Sequence, residues 1–334
     1  MVNTPAQVGI LGGAGYTGGE LLRLLLNHEG VEVAFVQSRT RSGTPVSAVH
    51  TDLQGCTGLR FVETLDFAGL TGDATALFLA LPHGESRRFL SENVLPENLR
   101  IIDLSHDFRL SKDSKIGNRA FVYGLPEARR EEIRKARSVA NPGCFASAIQ
   151  FALLPLAHSR LLGPVAVTGI TGSTGAGQKP TETTHFSFRA NNIQAYKTLT
   201  HQHVPEVEET LSAMQGSSAQ GLVSFIPWRG DFTRGIFVSA QLRCGLSLEK
   251  TLDLYRAHYE GHPFIHVTTD SIDLKSVLNT NRVLIGLEKA GETLAVHCSI
   301  DNLLKGASGQ AVQNFNLMMG YPETAGLRLK GSAF

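Results

Sequence analysis

The sequence predicts a two-domain α/β protein in which a doubly wound parallel sheet is joined to a mixed α+β domain. Length is the first indication, because 334 residues at roughly 150 per domain give two cores. The second is the rhythm up to residue 140, where apolar strands alternate with helical stretches, the pattern of parallel strands linked by crossover helices. The third is a change of rhythm near residue 165, after which strand-like runs dominate and helices are sparse.

The elements follow in order. Gln7 to Leu11 is a short apolar strand, and Glu20 to His28 carries leucines at 21, 22, 24, 25 and 26 that give a helix a broad buried face, with Gly30 as its stop. Val31 to Val36, Ala74 to Leu81, Arg100 to Leu104 and Ser138 to Ala140 read as further strands. Helical spacing lies between them at Ser86 to Leu95 and Glu127 to Lys135. In the second half, Val165 to Ile170, Leu222 to Ile226, Gly235 to Arg243, Phe264 to Thr268, Asn281 to Leu287 and Thr293 to Ile300 are strand-like. Val204 to Met214 and Ser247 to His258 are the best helices there. Lys305 to Met319 places Ala307, Ala311, Phe315 and Met318 on one face, and that face fits either domain.

Composition narrows the function classes. Thirty-one Lys and Arg against 30 Asp and Glu leave a formal charge of +1, which gives no reason to expect a nucleic-acid partner. Charged residues make up 18%, below the usual ~25%, while 42% are hydrophobic, a balance that favours folding over disorder. Residues 1–6 lack the basic and apolar regions of a signal peptide, and no apolar run approaches ~18 residues, so a cytoplasmic protein without a membrane partner is expected. Cys56, Cys144, Cys244 and Cys298 form no Cys-x-x-Cys pair and are expected as reduced thiols.

Gly13-Ala14-Gly15-Tyr16-Thr17-Gly18 matches G-x-G-x-x-G between a strand and a helix, the setting of a Rossmann dinucleotide site. Gly13 and Gly15 are expected to let the backbone turn and approach a pyrophosphate lying over the helix amides. At the end of the second strand an NAD site would carry an acidic residue; the chain has Gln37-Ser38-Arg39-Thr40-Arg41 instead. A hydroxyl and two guanidiniums suit a 2′-phosphate, so NADP (NADPH) is the expected cofactor.

Asn141-Pro142-Gly143-Cys144 puts a cysteine at the start of the apolar helix Phe145 to Leu154, directly after the fifth strand. Oriented amides at a helix start favour the thiolate, which makes Cys144 a candidate nucleophile; the alternative is an inert buried cysteine. His201-Gln202-His203-Val204-Pro205-Glu206 offers two imidazoles and a carboxylate just before a helix. His-x-His alone supplies two ligands, so no metal is expected, whereas a reactive cysteine needs an acid/base partner.

Several ordered blocks complete the reading: Gly12 to Gly18 with Glu20-Leu21-Leu22, Leu81-Pro82-His83-Gly84, Asp103 to Arg109, Tyr123 to Glu127, Asn141 to Cys144, His201 to Glu206, and Asp301 to Ala307. Through them the chain resembles, over almost its full length, the N-acyl-γ-glutamyl-phosphate reductases of arginine biosynthesis, relatives of aspartate-semialdehyde dehydrogenase.

The resemblance implies that Cys144 is the nucleophile and His201 the acid/base, with His203 competing for that role and Glu206 orienting. Substrate contacts fall on Arg109, Lys179 and Arg189, and cofactor contacts on Gly12, Gly13, Gly15, Tyr16, Thr17, Gly18, Ser38, Arg39, Arg41, Pro82 and Asn302. It returns the C-terminal helix to the cofactor domain. That domain then takes residues 1–144 and 303–334, and residues 145–302 form an inserted, mostly antiparallel domain for substrate and oligomerisation. The implied reaction reduces the acyl phosphate of an N-acylated glutamate through a cysteine thioester in a homodimer or homotetramer.

His106, where a small residue is expected, and Thr184 to Arg189 depart from the commonest family form. The latter looks more like a branch in which some members use N-succinyl rather than N-acetyl substrates. Aspartate-semialdehyde dehydrogenase and an NADP-binding sensor are the rival readings, the second because fold alone never proves catalysis.

Overall fold

A computed structural model describes residues 5–63 and 75–332. Two compact units divide the chain, one taking the described part of residues 1–142 with Ala307–Arg328, the other Gly143–Gly306 with residues 329–332.

The first unit is built on β1 (Ala6–Leu11), α1 (Tyr16–Leu25), β2 (Val31–Gln37), α2 (Val46–Val49), β3 (Phe61–Val62), β4 (Ala76–Leu79), α3 (Glu85–Glu92), β5 (Arg100–Asp103), the small hairpin β6 (Lys115–Ile116) and β7 (Arg119–Ala120), β8 (Val122–Tyr123), α4 (Pro126–Lys135) and β9 (Ser138–Ala140). Seven strands lie in the order β3-β2-β1-β4-β5-β9-β8, every pair parallel. Parallel strands buried on both faces read as continuous apolar runs, and β4, Ala-Leu-Phe-Leu, is fully buried. Leu21, Leu22, Leu24 and Leu25 of α1 are buried as their spacing requires, each contributing roughly 1.5–3 kcal/mol.

Differences from the sequence reading are local. α1 begins at Tyr16 rather than Glu20, because Gly18 and Gly19, poor helix formers in isolation, are held helical by close packing, and it ends at Leu25 rather than His28. An added Cβ on Gly18 would lie 2.6 Å from Gly13 Cα, which shows how closely the helix start approaches the turn. The two-residue strands β3 and β8 are too short to show periodicity and exist only because the sheet pairs them.

The second unit contains α5 (Cys144–His158), β10 (Val165–Thr171), α6 (Phe186–Arg189), β11 (Gln194–Ala195), α7 (Val204–Gln215), β12 (Val223–Arg229), β13 (Ile236–Arg243), α8 (Leu248–His258), β14 (Ile265–Thr268), β15 (Val283–Ala290) and β16 (Thr293–Ile300). Its sheet runs β11-β12-β10-β13-β16-β15-β14, antiparallel except for the β10/β12 and β14/β15 pairs. Helix α5, buried continuously from Phe145 to Ala157, is the centre of this unit. The hydroxyls of Tyr255 and Tyr259 donate to the carbonyls of Ala152 and Phe151, both at 2.6 Å, and tie α8 and its end to α5.

One π-helical turn, Leu304–Ser308, precedes α9 (Gly309–Met319), which belongs to the first unit. Sequence spacing suggests one apolar face, but α9 is buried on all sides from Gly309 to Met318. Its amides are consumed internally: Asn314 Nδ2 donates to Gly124 O (2.9 Å) and Asn141 Oδ1 (3.1 Å), and Asn141 Nδ2 donates to Ala307 O (3.0 Å). Expected at 144/145 and 302/303, the crossings fall instead after Pro142 and Gly306, and residues 329–332 lie with the second unit. There Asn279 Nδ2 donates to Ser332 Oγ at 3.0 Å, a contact that no local pattern announces.

Candidate active site

β9 carries the chain through Asn141 and Pro142 to Gly143, the N-cap of α5, and Cys144 is the first residue of that helix. The N-cap of α5 is a glycine with no side chain of its own to cap the helix, and a helix start presents oriented amides to an anion. Arg109, 7% exposed in the first unit, donates from Nε to Asn141 O (2.8 Å) and from Nη2 to Leu104 O (3.0 Å), so it braces the turn before Cys144.

α7 supplies the rest of the Cys144 surroundings. Pro205 within its first turn suits a helix start, and Glu206 follows, turned inward and 4% exposed. Gly143 N–H donates to Glu206 Oε2 at 3.0 Å, and Glu206 Oε1 lies 4.0 Å from His203 Nε2. The His203 ring rests on the Gly143 α-carbon, where an added Cβ would meet Nε2 at 2.3 Å. Glu206 therefore lies between the His203 ring and the turn that precedes Cys144. His203 N–H donates to His201 Nδ1 at 3.2 Å, and the two rings meet edge to face at 4.7 Å.

Because Nδ1 of His201 accepts, the neutral ring carries its hydrogen on Nε2. Burial and the nearby Lys197 charge pull the His201 pKa down to about 4, so the ring is neutral at pH 7. Phe145, Phe225 and Tyr196 surround it at centroid distances of 5.7, 5.5 and 5.8 Å. Burial and the neighbouring Cys144 push the Tyr196 phenol up, which keeps it protonated. Gly306, in the π-turn, closes the other side: an added Cβ would lie 2.9 Å from Cys144 Cβ.

Tyr196, Arg229 and Gly306 escape the sequence reading. Gly306 lies inside the quoted Asp301 to Ala307 block, while Arg229 ends an apolar strand just before a glycine, the only local sign it offers.

In the first unit the glycine turn fits a dinucleotide. Gly12, not Gly13, is left-handed (φ +75°), and an added Cβ there would meet Ala80 O at 2.3 Å. Gly13 instead admits Val36, whose Cγ1 would be 2.1 Å from an added Cβ. Around Gly15 the nearest heavy atom to such a Cβ is Gly12 O at 3.8 Å, which leaves room for a ligand, and the first turn of α1 holds no acidic residue. Tyr16 is exposed, Thr17 O accepts from Ser308 Oγ (2.9 Å), Ser38 is buried, and Arg39, Arg41 and Pro82 are exposed. Asn302, expected at the cofactor, belongs to the second unit, where Oδ1 accepts from Gly235 N (2.6 Å) and Nδ2 donates to Thr174 Oγ1 (3.1 Å). Lys179 is exposed, and Arg189 Nη2 donates to Gly230 O at 2.7 Å.

A dinucleotide turn with a cysteine-headed helix defines a class, and comparison with known proteins gives the same one. Residues 7–136 match the family described as "Semialdehyde dehydrogenase, NAD binding domain" and residues 144–302 "Semialdehyde dehydrogenase, dimerisation domain". N-acetyl-gamma-glutamyl-phosphate reductase of Bacteroides thetaiotaomicron is 49% identical, and those of Phocaeicola vulgatus and Flavobacterium johnsoniae 48%, each over 98% of this chain and 99% of the relative. The chain belongs to the N-acetyl-gamma-glutamyl-phosphate reductase family of semialdehyde dehydrogenases. Its fold is similar to aspartate semialdehyde dehydrogenase II from Vibrio cholerae (TM-score 0.73, 17% identity, 95% of this chain and 99% of that one). The enzyme from Candida albicans, with NADP, gives 0.65 at 14% identity over 95% and 99%.

Proposed function

We propose that this chain reduces N-acetyl-γ-glutamyl phosphate to N-acetylglutamate 5-semialdehyde and inorganic phosphate, with NADPH as the preferred cofactor. The observation that carries the reading is Cys144 as the first residue of α5, with His201, His203 and Glu206 gathered against its turn.

His203, beside the Glu206 carboxylate, takes the thiol proton, and the Cys144 sulfur attacks the γ-carbonyl carbon. The C–O bond to phosphate breaks and a thioester remains on Cys144. When bound, the dinucleotide supplies the hydride that brings the thioester carbon to the aldehyde level. The oxygen that gains charge at each addition is met by amides at the start of α5 and by the neutral His201 Nε2–H, donors fixed before the charge develops. The C–S bond then breaks, and the semialdehyde leaves as the thiolate is restored. Lys179 and Arg189 are assigned to substrate anions, whereas Arg109 serves by holding the Asn141 carbonyl.

Gly12, Gly13, Gly15 and Gly18 would hold the pyrophosphate with Tyr16 and Thr17 alongside, and Pro82 and Asn302 are kept as cofactor contacts. The exposed Arg39 and Arg41, with Ser38 and no acidic residue at the end of β2, favour a 2′-phosphate and hence NADP over NAD. Thr184 to Arg189 favours a second reading, the same reaction on the N-succinyl substrate. A steady-state assay in the oxidative direction, with phosphate, NADP or NAD, and each semialdehyde, tests all of this. Cys144→Ser should keep NADPH binding and lose nearly all turnover; activity within tenfold of the parent sinks the assignment.

A further inference from the structure

The second unit holds two neighbouring guanidiniums with no carboxylate at ion-pair distance among the described residues. Arg229, at the end of β12, stacks over the Tyr196 ring with its guanidinium carbon 4.5 Å from the centroid, and its Nη1 donates to Thr183 Oγ1 at 2.8 Å. Arg189 lies close enough that Arg229 repels its charge. Among the described residues neither side chain is within ion-pair distance of a carboxylate. Asp231, whose field reaches Arg189, accepts instead from Asn191 N at 2.7 Å.

Both arginines, with Phe188, Asn192 and Gln194, line one cavity of about 10 Å³, room for about one water. Arg189 Nη1 and Gln194 Oε1 are buried there without a hydrogen-bond partner among the described residues. Burying such groups unpaired is unfavourable: the Arg189 donor can be completed by a carboxylate oxygen, whereas the Gln194 acceptor needs a donor such as water. A run of ring contacts links it to the proposed nucleophile: Arg229 to Tyr196, Tyr196 to His201, His201 to His203, and His203 to Gly143, which precedes Cys144. An arginine stacked through its flat face still presents its N–H edge, the fork that matches a carboxylate.

We infer that Arg229, with Arg189 beside it, binds a carboxylate of the substrate remote from the carbon that Cys144 attacks, and so sets substrate specificity. The inference rests on the proposed reaction. Its shared chemistry is a carboxylate, which the α-carboxylate of both candidate semialdehydes or the terminal carboxylate of an N-succinyl group supplies.

Steady-state kinetics of the parent, Arg229→Met and Arg229→Lys, with N-acetyl- and N-succinyl-glutamate semialdehyde in turn, test it. In Arg229→Met the KM for semialdehyde should rise at least tenfold while kcat falls less than fivefold, with the KM values for phosphate and NADP within twofold of the parent. A rise with both semialdehydes assigns the α-carboxylate, and a rise with the N-succinyl compound alone assigns its terminal carboxylate. Arg229→Lys, which keeps the charge but loses the fork, should raise KM at least threefold and settles the matter if the Met variant does not fold. KM within twofold of the parent for both semialdehydes in either folded variant overturns the assignment. A parent inactive on both overturns the reaction itself.

Discussion

At the scale of single residues, the balance of the site turns on His201. The folded ring titrates near 4 against about 6.5 when unfolded. Between those values the unfolded chain binds the proton that the folded ring refuses, so this contribution is fully present above about pH 6.5 and is lost as the pH falls toward about 4. Asp103 works the other way: burial raises its carboxyl from 3.8 to about 6, which favours the folded state at low pH and weakens it as the pH rises through that window. The two oppose each other, and the parent's profile hides both. Relative to the parent, His201→Asn should therefore lose its disadvantage as the pH drops from 6.5 to 4.5, read by denaturant titration of the fluorescence of Trp228, the single tryptophan, in the same unit. A difference between the two proteins that stays constant with pH would show that His201 is not held neutral by the fold.

Elements act on the site through close approach. Gly306 brings the π-turn against Cys144, with no space for a methyl group that would stand 2.9 Å from its Cβ. Gly306→Ala should cost about 1–3 kcal/mol of stability through overpacking. It should also lower kcat by ten- to a hundredfold, since a displacement of about 1 Å near a reacting atom has an effect of that order. A fully active Gly306→Ala enzyme would mean that the turn yields freely and does not position the thiol.

At this scale much was legible in advance. The leucines of α1, the apolar run of β4 and the cysteine at the head of α5 follow from periodicity and chain order. β3, β8 and β11, two residues each, were not legible, because a strand of that length is defined by the partner that pairs with it. Gly13 and Gly15 were expected to let the backbone turn, and the left-handed residue is Gly12, since a run of glycines records the need for a turn without recording which peptide takes it.

For the whole molecule, the second unit offers a broad mixed sheet whose one face is covered by α5, and β13 alternates buried with partly exposed residues along its length. With residues 144–302 matching a dimerisation domain, a self-associated enzyme is the expected state. Light scattering at micromolar concentration should give at least twice the chain mass of 36.0 kDa; a monomer mass throughout that range would reject this expectation. Family membership came from the order of short blocks along the chain, and a match over 98% of this chain and 99% of the relative agrees with that reading.

By itself the sequence determined the kinds of element, the glycine turn and the cysteine at the head of α5, because each rests on neighbours within a few residues, where backbone preference and side-chain period act directly. Tertiary structure alone decided that Glu206 meets Gly143 across 63 residues, that Gly306 closes on Cys144, and that Arg229 lies over Tyr196. Those facts depend on how a sheet, two helices and a π-turn pack, and packing joins residues by shape and burial, which distance along the chain does not record.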